Sequence, residues 1–298
     1  MLDDLDAAPW HASRRAPINE LARELATLSA DEMVAALGVR RGPVLLRRAL
    51  ALPFYAASRA LGETLAQLDQ DAAARGLPAA ARRALHGFGV ALHTSGEAPS
   101  NGPQLVLANH PGAFDALALM SALGRKDLLI LAADRRFLRA LPGLSAHFLF
   151  VGDAAGARAG ALKRATTHLR RGGALLHFPA GQIEPDADFE AERSRWLGAW
   201  HPGVSALVAA CARVNGSVLV AGVRGVHSPR AKRLLLNRAA ERRGVTTLSP
   251  LLQMVGRLRD VTARVCCLNA GSASALAELR AGEQQARLRA ALAHAISS

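Results

Sequence analysis

The stretch Leu105-Val106-Leu107-Ala108-Asn109-His110-Pro111-Gly112-Ala113-Phe114-Asp115 passes from an apolar run into a polar turn. A short run that is apolar at every position is typical of a strand buried on both faces of a sheet. Five more runs of this kind occur along the chain, separated by stretches with helical periodicity. The predicted strands are Gln104–Ala108, Leu128–Ala132, Phe148–Val151, Ala174–Phe178, Val218–Val223 and Val265–Leu268.

Helical patterns fill the gaps between these runs, and Gly172-Gly173 provides a stop signal after one of them. An alternation of strands and helices is typical of a layered α/β fold. We therefore predict a mostly parallel sheet flanked by helices, with an N-terminal helical extension. The predicted helices of this region are Pro111–Leu123, Ala157–Arg171, Gly203–Val214 and Ala273–Ile296.

The first 87 residues have helical periodicity and no strand pattern. Apolar residues recur at spacings of three and four in Pro17–Leu28 and again in Leu45–Leu68, where only Pro53 interrupts the pattern. We therefore predict a helical region over residues 1–87 and an α/β domain over residues 88–298. The segment from Val44 to Tyr55 mixes apolar residues with arginines, so it either lies on anionic lipid or covers the sheet. We favour the membrane interpretation.

The charge of the chain points to anionic partners. Its formal net charge is +13, carried by 37 basic residues of which only Lys126, Lys163 and Lys232 are lysines. Biased codon usage is the alternative explanation for the excess of arginine in an alanine-rich chain. Aromatic residues make up 4% of the chain, too few for the stacking platforms of single-stranded nucleic-acid binders. We expect an anionic membrane surface as a partner, and no nucleic acid.

Cysteine usage and hydropathy bear on the compartment. Cys211, Cys266 and Cys267 have no metal-ligand spacing, and adjacent cysteines rarely form an unstrained disulfide, so we expect no metal site and a reducing environment. The sequence begins with acidic residues where a signal peptide would be basic. No apolar run reaches the roughly 18 to 20 residues that span a bilayer. We expect a cytoplasmic protein that is peripheral on the inner face of the cell membrane.

His110 and Asp115 form a candidate catalytic pair. Five residues advance an ideal helix by roughly 140°, so both side chains cannot share one helical face, and a turn must separate them. Pro111 suits the first position of the following helix. An aspartate within reach fixes the tautomer of a histidine and stabilises the imidazolium, which is what a general base requires. The alternative is an exposed helix-cap histidine beside a carboxylate favoured by the helix dipole.

Two other polar segments also follow predicted strands. Asp134-Arg135-Arg136 offers guanidinium groups, and Phe178-Pro179-Ala180-Gly181 combines a sharp strand exit with a close backbone approach. Sites in open α/β sheets gather beyond the carboxyl ends of strands, so these segments are expected to share one cleft with His110. The acids Glu184, Asp186, Asp188 and Glu190 are interpreted as a solvated loop rather than a metal site. His177 is interpreted as a packed core histidine.

The order of these motifs resembles a known family, the glycerolipid acyltransferases of the lysophosphatidic-acid acyltransferase type. Asn109-His110 with Asp115 resembles the first block of that family. The second block is matched by Arg135-Arg136-Phe137-Leu138 with Leu141-Pro142-Gly143, and the third by Phe178-Pro179 with Gly181. The resemblance covers roughly residues 88 to 230.

The resemblance implies a mechanism and its partners. His110, held by Asp115, would deprotonate a lysolipid-like acceptor, which then attacks the thioester of an acyl-CoA or acyl carrier protein. Neither a cofactor nor a metal is implied; the acyl thioester donor is a co-substrate. The residues implied in substrate binding are Asn109, Arg135, Arg136, Phe178, Pro179, Gly181 and Gln182.

The third block departs from the family pattern. Typical members read Phe-Pro-Glu-Gly-Ser/Thr-Arg, whereas this chain has Ala180, Gln182 and Ile183 at the acidic, hydroxyl and arginine positions. We therefore expect an acceptor other than simple lysophosphatidate. One alternative is a catalytically inactive lipid-binding protein of the same fold. A serine hydrolase is disfavoured because no Gly-x-Ser-x-Gly elbow occurs.

Overall fold

The computed structural model describes residues 20–27, 44–112, 114–152, 155–233, 253 and 258–298, with backbone alone at 44–57 and 155. Seven strands form one sheet in the order β1-β7-β6-β2-β5-β3-β4. All neighbouring pairs are parallel except β6 and β7. The strands are β1 Ala91–Gly96, β2 Gln104–Ala108, β3 Leu129–Ala133, β4 Phe148–Val151, β5 Ala174–His177, β6 Ser217–Arg224 and β7 Thr262–Ser272.

Helices flank this sheet, which confirms the predicted α/β class with a mostly parallel sheet. A 3-10 turn covers Arg193–Arg195, and residues 20–27 are also helical. No helix in the part of the chain described here is long and apolar enough to cross a membrane. The other helices are Val44–Arg75, Leu77–Phe88, Asp115–Leu123, Arg136–Arg139, Pro142–Ser145, Ala155–Arg170, Gly203–Ala212, Pro229–Arg233, Ala273–Ala277 and Ala281–Ser297.

Three sequence predictions about these elements were wrong. The helix expected from Pro111 begins at Asp115, because the Asp115 carboxylate accepts the N–H of Gly112 and holds the preceding residues in a turn. The helix expected over Ala273–Ile296 is two helices. Strand β1 was missed because it is an exposed edge strand with no apolar run. Pro53 lies within one continuous helix.

The core has two layers, one on each face of the sheet. Val106 and Ala108 of β2 face a cluster formed with helix Asp115–Leu123 and the helices that precede β1. Leu105 and Leu107 face the opposite cluster, which the later helices complete. Alternate residues of one strand therefore serve both layers, which is why β2 is apolar from Leu105 to Ala108. The division at residue 87 stays a sequence prediction, and the side chains of the segment from Val44 to Tyr55 lie outside the described residues.

Candidate active site

The three polar segments follow three adjacent parallel strands. The sheet order places β5 between β2 and β3, so the segments after Ala108, Ala133 and His177 all leave the same edge. The rings of His110 and Phe178 are neighbours there, with centroids 4.5 Å apart and planes 30° from parallel. The sheet therefore brings the first and third segments into contact, at the edge where open α/β sheets carry their sites.

His110 and Asp115 are joined as the spacing predicts. Nδ1 of His110 lies 2.7 Å from Oδ2 of Asp115, whose side chain is fully buried while that of His110 is 31% exposed. The same Oδ2 accepts the N–H of Gly112 at 2.9 Å, and Oδ1 accepts the N–H of Ala116 at 2.5 Å. Since the carboxylate is held by two backbone groups, it fixes the ring and leaves Nε2 as the nitrogen that accepts a proton.

The electrostatics of this pair favour a protonated ring. Burial lowers the pKa of His110, but the charge and hydrogen bond of Asp115 and the charge of Glu184 raise it further, so the net pKa lies above the ordinary 6.5. A raised pKa makes neutral His110 a stronger base. It also extends the protonated form, which cannot act as a base, to higher pH.

Asn109 is buried and hydrogen-bonded to strand β6. Its side chain is 1% exposed, and its amide exchanges two hydrogen bonds with the backbone of Val223, donating at 2.8 Å and accepting at 2.7 Å. A side chain so buried and so engaged links the end of β2 to β6. Substrate binding by Asn109 stays a prediction, and this geometry favours a structural role.

Glu184 contacts the backbone of His110, a contact that the sequence did not indicate. Its side chain is buried, and Oε2 accepts the N–H of His110 at 3.0 Å while Oε1 accepts the N–H of Gly198 at 2.6 Å. Its own N–H donates to the carbonyl of His110 at 2.8 Å. Burial raises the pKa of Glu184, against the opposing effect of these backbone donors. The solvated-loop interpretation is therefore wrong for Glu184.

Asp186 is a second buried acid in the same loop. It is 3% exposed and accepts backbone N–H groups from Gly225, Val226 and His227. Asp188 pairs with two arginines, Arg224 and Arg264. The alternation of acids thus reflects loop structure, and no group of three or more metal-ligating side chains occurs in the described ranges.

His227 is a further residue that sequence reasoning missed. It is 6% exposed, and its Nε2 donates to the carbonyl of Pro111 at 2.7 Å. A Cβ on Gly112 would lie only 3.0 Å from its ring, so the histidine packs closely against the catalytic turn. Burial, with the charge of Lys232, lowers the pKa of His227, which keeps the ring neutral. No spacing in the sequence relates it to His110.

The remaining predicted site residues differ in exposure. Arg135 and Arg136 are exposed after β3, whereas Arg139 is bonded to Asp134 at 2.5 and 2.8 Å and lies over the ring of Phe150. His177 is partly buried, and burial, with the nearby His201, lowers its pKa to about 4. That pKa leaves His177 neutral at physiological pH.

The third segment combines a fixed turn with open space. Gly181 has φ of 62° and donates its N–H to the carbonyl of Phe178, and nothing lies within 4 Å of where its Cβ would be. Pro179 is buried, and its carbonyl accepts the N–H of His201 at 2.9 Å. Gln182 is exposed. A side chain at position 181 would therefore extend into open space.

Comparison with known proteins identifies the class of this site. Residues 89–221 match the family described as Acyltransferase. The match spans all three polar segments. It confirms the resemblance to acyltransferases and the prediction that the protein is an enzyme of that class.

Comparison with individual proteins shows structural similarity at low sequence identity. No curated protein matches the chain significantly. Among solved structures, the chain is similar to the crystal structure of the 1-acyl-sn-glycerophosphate (LPA) acyltransferase PlsC from Thermotoga maritima. The two are 12% identical, the similarity covers 94% of each chain, and the TM-score is 0.48.

Proposed function

We propose that this acyltransferase moves a fatty acyl group from a thioester donor, acyl-CoA or acyl carrier protein, to a lysolipid-like acceptor. The observation that carries the proposal is the 2.7 Å contact between the His110 ring and a fully buried Asp115. A histidine oriented in this way is the usual general base for activating a hydroxyl. The acyltransferase family match supports the same chemistry.

In the proposed reaction, Nε2 of His110 takes the proton of the acceptor hydroxyl as its oxygen attacks the thioester carbonyl. The carbon–sulfur bond then breaks, and the imidazolium returns the proton to the thiolate that leaves. Asp115 stays ionised throughout and stabilises the imidazolium. The step is balanced without a metal, a cofactor or a covalent enzyme intermediate.

Substrate binding is proposed for the exposed residues around His110. Arg135 and Arg136 lie exposed beyond β3, next in the sheet to β5, and suit the phosphates of an anionic donor or headgroup. Phe178 stacks near His110, and the space above Gly181 and the exposed Gln182 would adjoin the acceptor. Because Ile183 supplies no charge to the third segment, we propose an acceptor other than simple lysophosphatidate.

We propose that the enzyme is cytoplasmic and acts at the inner face of the cell membrane, where its substrates reside. The net charge of +13 would attract it to anionic lipid. Sedimentation with vesicles of anionic or of neutral phospholipid tests this step. Binding to the anionic vesicles alone, weakened by salt, supports it, and equal recovery with both kinds of vesicle contradicts it.

The reaction is tested by incubating wild type and His110→Ala with acyl-CoA and a panel of lysolipids that includes lysophosphatidate and lyso-ornithine lipid. Free thiol and the mass of the acylated lipid are measured. His86→Ala, an exposed histidine on helix Leu77–Phe88, is the matched control. We expect transfer to be lost only in His110→Ala. Equal turnover by that variant would refute the base assignment, and vesicle binding without transfer to any acceptor would favour the inactive lipid-binding alternative.

A further inference from the structure

Two buried carboxylates hold His110 from different sides. Asp115 contacts the ring, whereas Glu184 contacts the backbone of His110 through one carboxylate oxygen and through its own N–H. We propose that Glu184 is the positioning residue for His110. It fixes the backbone from which the His110 ring extends to contact Phe178 and Asp115. This proposal rests on the proposed function of His110.

The contacts of Glu184 form a brace rather than a single bond. The N–H of Glu184 donates to the carbonyl of His110, and the carboxylate of Glu184 accepts the N–H of His110. Both backbone polar groups of His110 are therefore bound to one residue. A residue held at both backbone groups has a fixed Cα–Cβ direction, and the hydrogen bond to Asp115 then fixes the ring. The hydrogen bonds of the Asp115 carboxylate go to the His110 ring and to the N–H groups of Gly112 and Ala116, so Asp115 holds the ring but not the backbone of His110.

The brace is anchored to the C-terminal helix. The second carboxylate oxygen of Glu184 accepts a hydrogen bond from the N–H of Gly198. The carbonyl of Gly198 in turn accepts a hydrogen bond from Nη1 of Arg289 at 2.5 Å. Nη2 of Arg289 donates to the carbonyl of Leu197 at 3.2 Å. A chain of hydrogen bonds therefore runs from helix Ala281–Ser297 through the Leu197–Gly198 turn to the backbone of His110.

The chemistry of the site explains why a carboxylate serves here. Two N–H groups, those of His110 and Gly198, need acceptors in a place where the side chain is only 4% exposed. A carboxylate accepts from both, whereas a glutamine can accept with its oxygen only. The negative charge also acts on the ring, together with Asp115, while Arg289 acts on Glu184 with the opposite sign.

Three variants separate these effects. Glu184→Gln keeps the size of the side chain but removes the charge and one acceptor. Glu184→Asp keeps the charge but is one methylene shorter, so it cannot bridge both N–H groups. Glu192→Gln is the control, because Glu192 is an exposed acid of the same loop that bonds to Ser194 and Arg195.

Two measurements are made on each variant. NMR titration of the imidazole, assigned by comparison with His110→Ala, measures the pKa of His110 without requiring activity. Steady-state kinetics measure kcat and KM. We expect Glu184→Gln to lower the pKa of His110 and to lower kcat about tenfold, with KM changed less than about twofold. Glu184→Asp should lower kcat similarly while the pKa of His110 stays above its ordinary value, and Glu192→Gln should match wild type.

The proposal is overturned if Glu184→Gln retains both the wild-type pKa of His110 and the wild-type kcat, or if Glu192→Gln changes both quantities as much. Thermal unfolding shows whether each variant is folded, and Glu184→Asp carries the test if Glu184→Gln is not. Should wild type transfer no acyl group, the proposed function fails, and the chemical shifts of the His110 ring in the same NMR spectra decide whether Glu184 positions it: ring shifts that are unchanged in Glu184→Asp would overturn the proposal.

Discussion

Asn109 and Val223 exchange two hydrogen bonds, although 114 residues separate them in the chain. The pairing of β2 with β6 ends at Ala108 and Ala221, so the amide of Asn109 occupies the place of the next backbone pair. It thereby satisfies both polar groups of Val223, which is fully buried. His110 begins its turn directly from this fixed point.

Substitution of Asn109 should therefore affect stability more than substrate binding. Asn109→Ala leaves the N–H and carbonyl of Val223 without partners, at about 1–3 kcal/mol for each group. We expect the free energy of unfolding to fall by about 3 kcal/mol in denaturant titration, with acceptor KM within about twofold of wild type. A raised KM at unchanged stability would instead identify Asn109 as a substrate contact.

Asp115→Asn should slow the reaction and shift its pH dependence. An amide cannot both accept from Nδ1 of His110 and preserve the charge that stabilises the imidazolium, so we expect kcat to fall about 100-fold or more. Since the base must be neutral, wild-type kcat/KM should rise with pH through a midpoint above 6.5, in line with the raised pKa of His110. Removal of the Asp115 charge should move that midpoint to lower pH.

The check is kcat/KM measured from about pH 5 to 9 for both proteins, with His86→Ala as a surface control. A variant whose midpoint coincides with that of wild type would show that Asp115 does not set the titration of His110.

Gly181 allows backbone strain to be separated from substrate space. Its φ of 62° is left-handed, which costs an alanine about 1–2 kcal/mol, while asparagine tolerates it better. We expect Gly181→Ala to lower the free energy of unfolding by about 1 kcal/mol and Gly181→Asn by less. If substrate occupies the open space above Gly181, both should raise KM about fivefold or more, Asn the more strongly because it is larger. Wild-type KM in both would place the acceptor elsewhere.

His177 should make stability fall in mild acid. Its folded pKa of about 4 is below the ordinary 6.5, chiefly because of burial, so the unfolded chain binds the proton first as the pH falls. The contribution is fully present above pH 6.5 and is lost as the pH falls towards the folded value of about 4, by up to about 3 kcal/mol. Denaturant titrations at several pH values should show a smaller decline for His177→Gln. An identical decline would mean that other groups cause the acid loss.

Local sequence patterns predicted most of the helices and strands, but only some of the residues at which they begin and end. Strands β2 and β4 have the predicted bounds, and in β2 the run Leu105–Ala108 is apolar because the strand is buried on both faces. Strand β1 escaped prediction because its exposed residues, Ala91 to Gly96, make their hydrogen bonds with β7 without burying a side-chain face. The start of the helix at Asp115 escaped because it depends on where one carboxylate finds its donors.

The sequence by itself determined the α/β class, the contact between His110 and Asp115, and the acyltransferase resemblance, since each depends on residues that are close along the chain. Only the tertiary structure decided the roles of Asn109, Glu184 and His227, whose partners lie 114, 74 and 116 residues away. The physical reason is that parallel strands joined by helices bring distant segments to one sheet edge. There a buried polar group must take whichever partner the fold supplies.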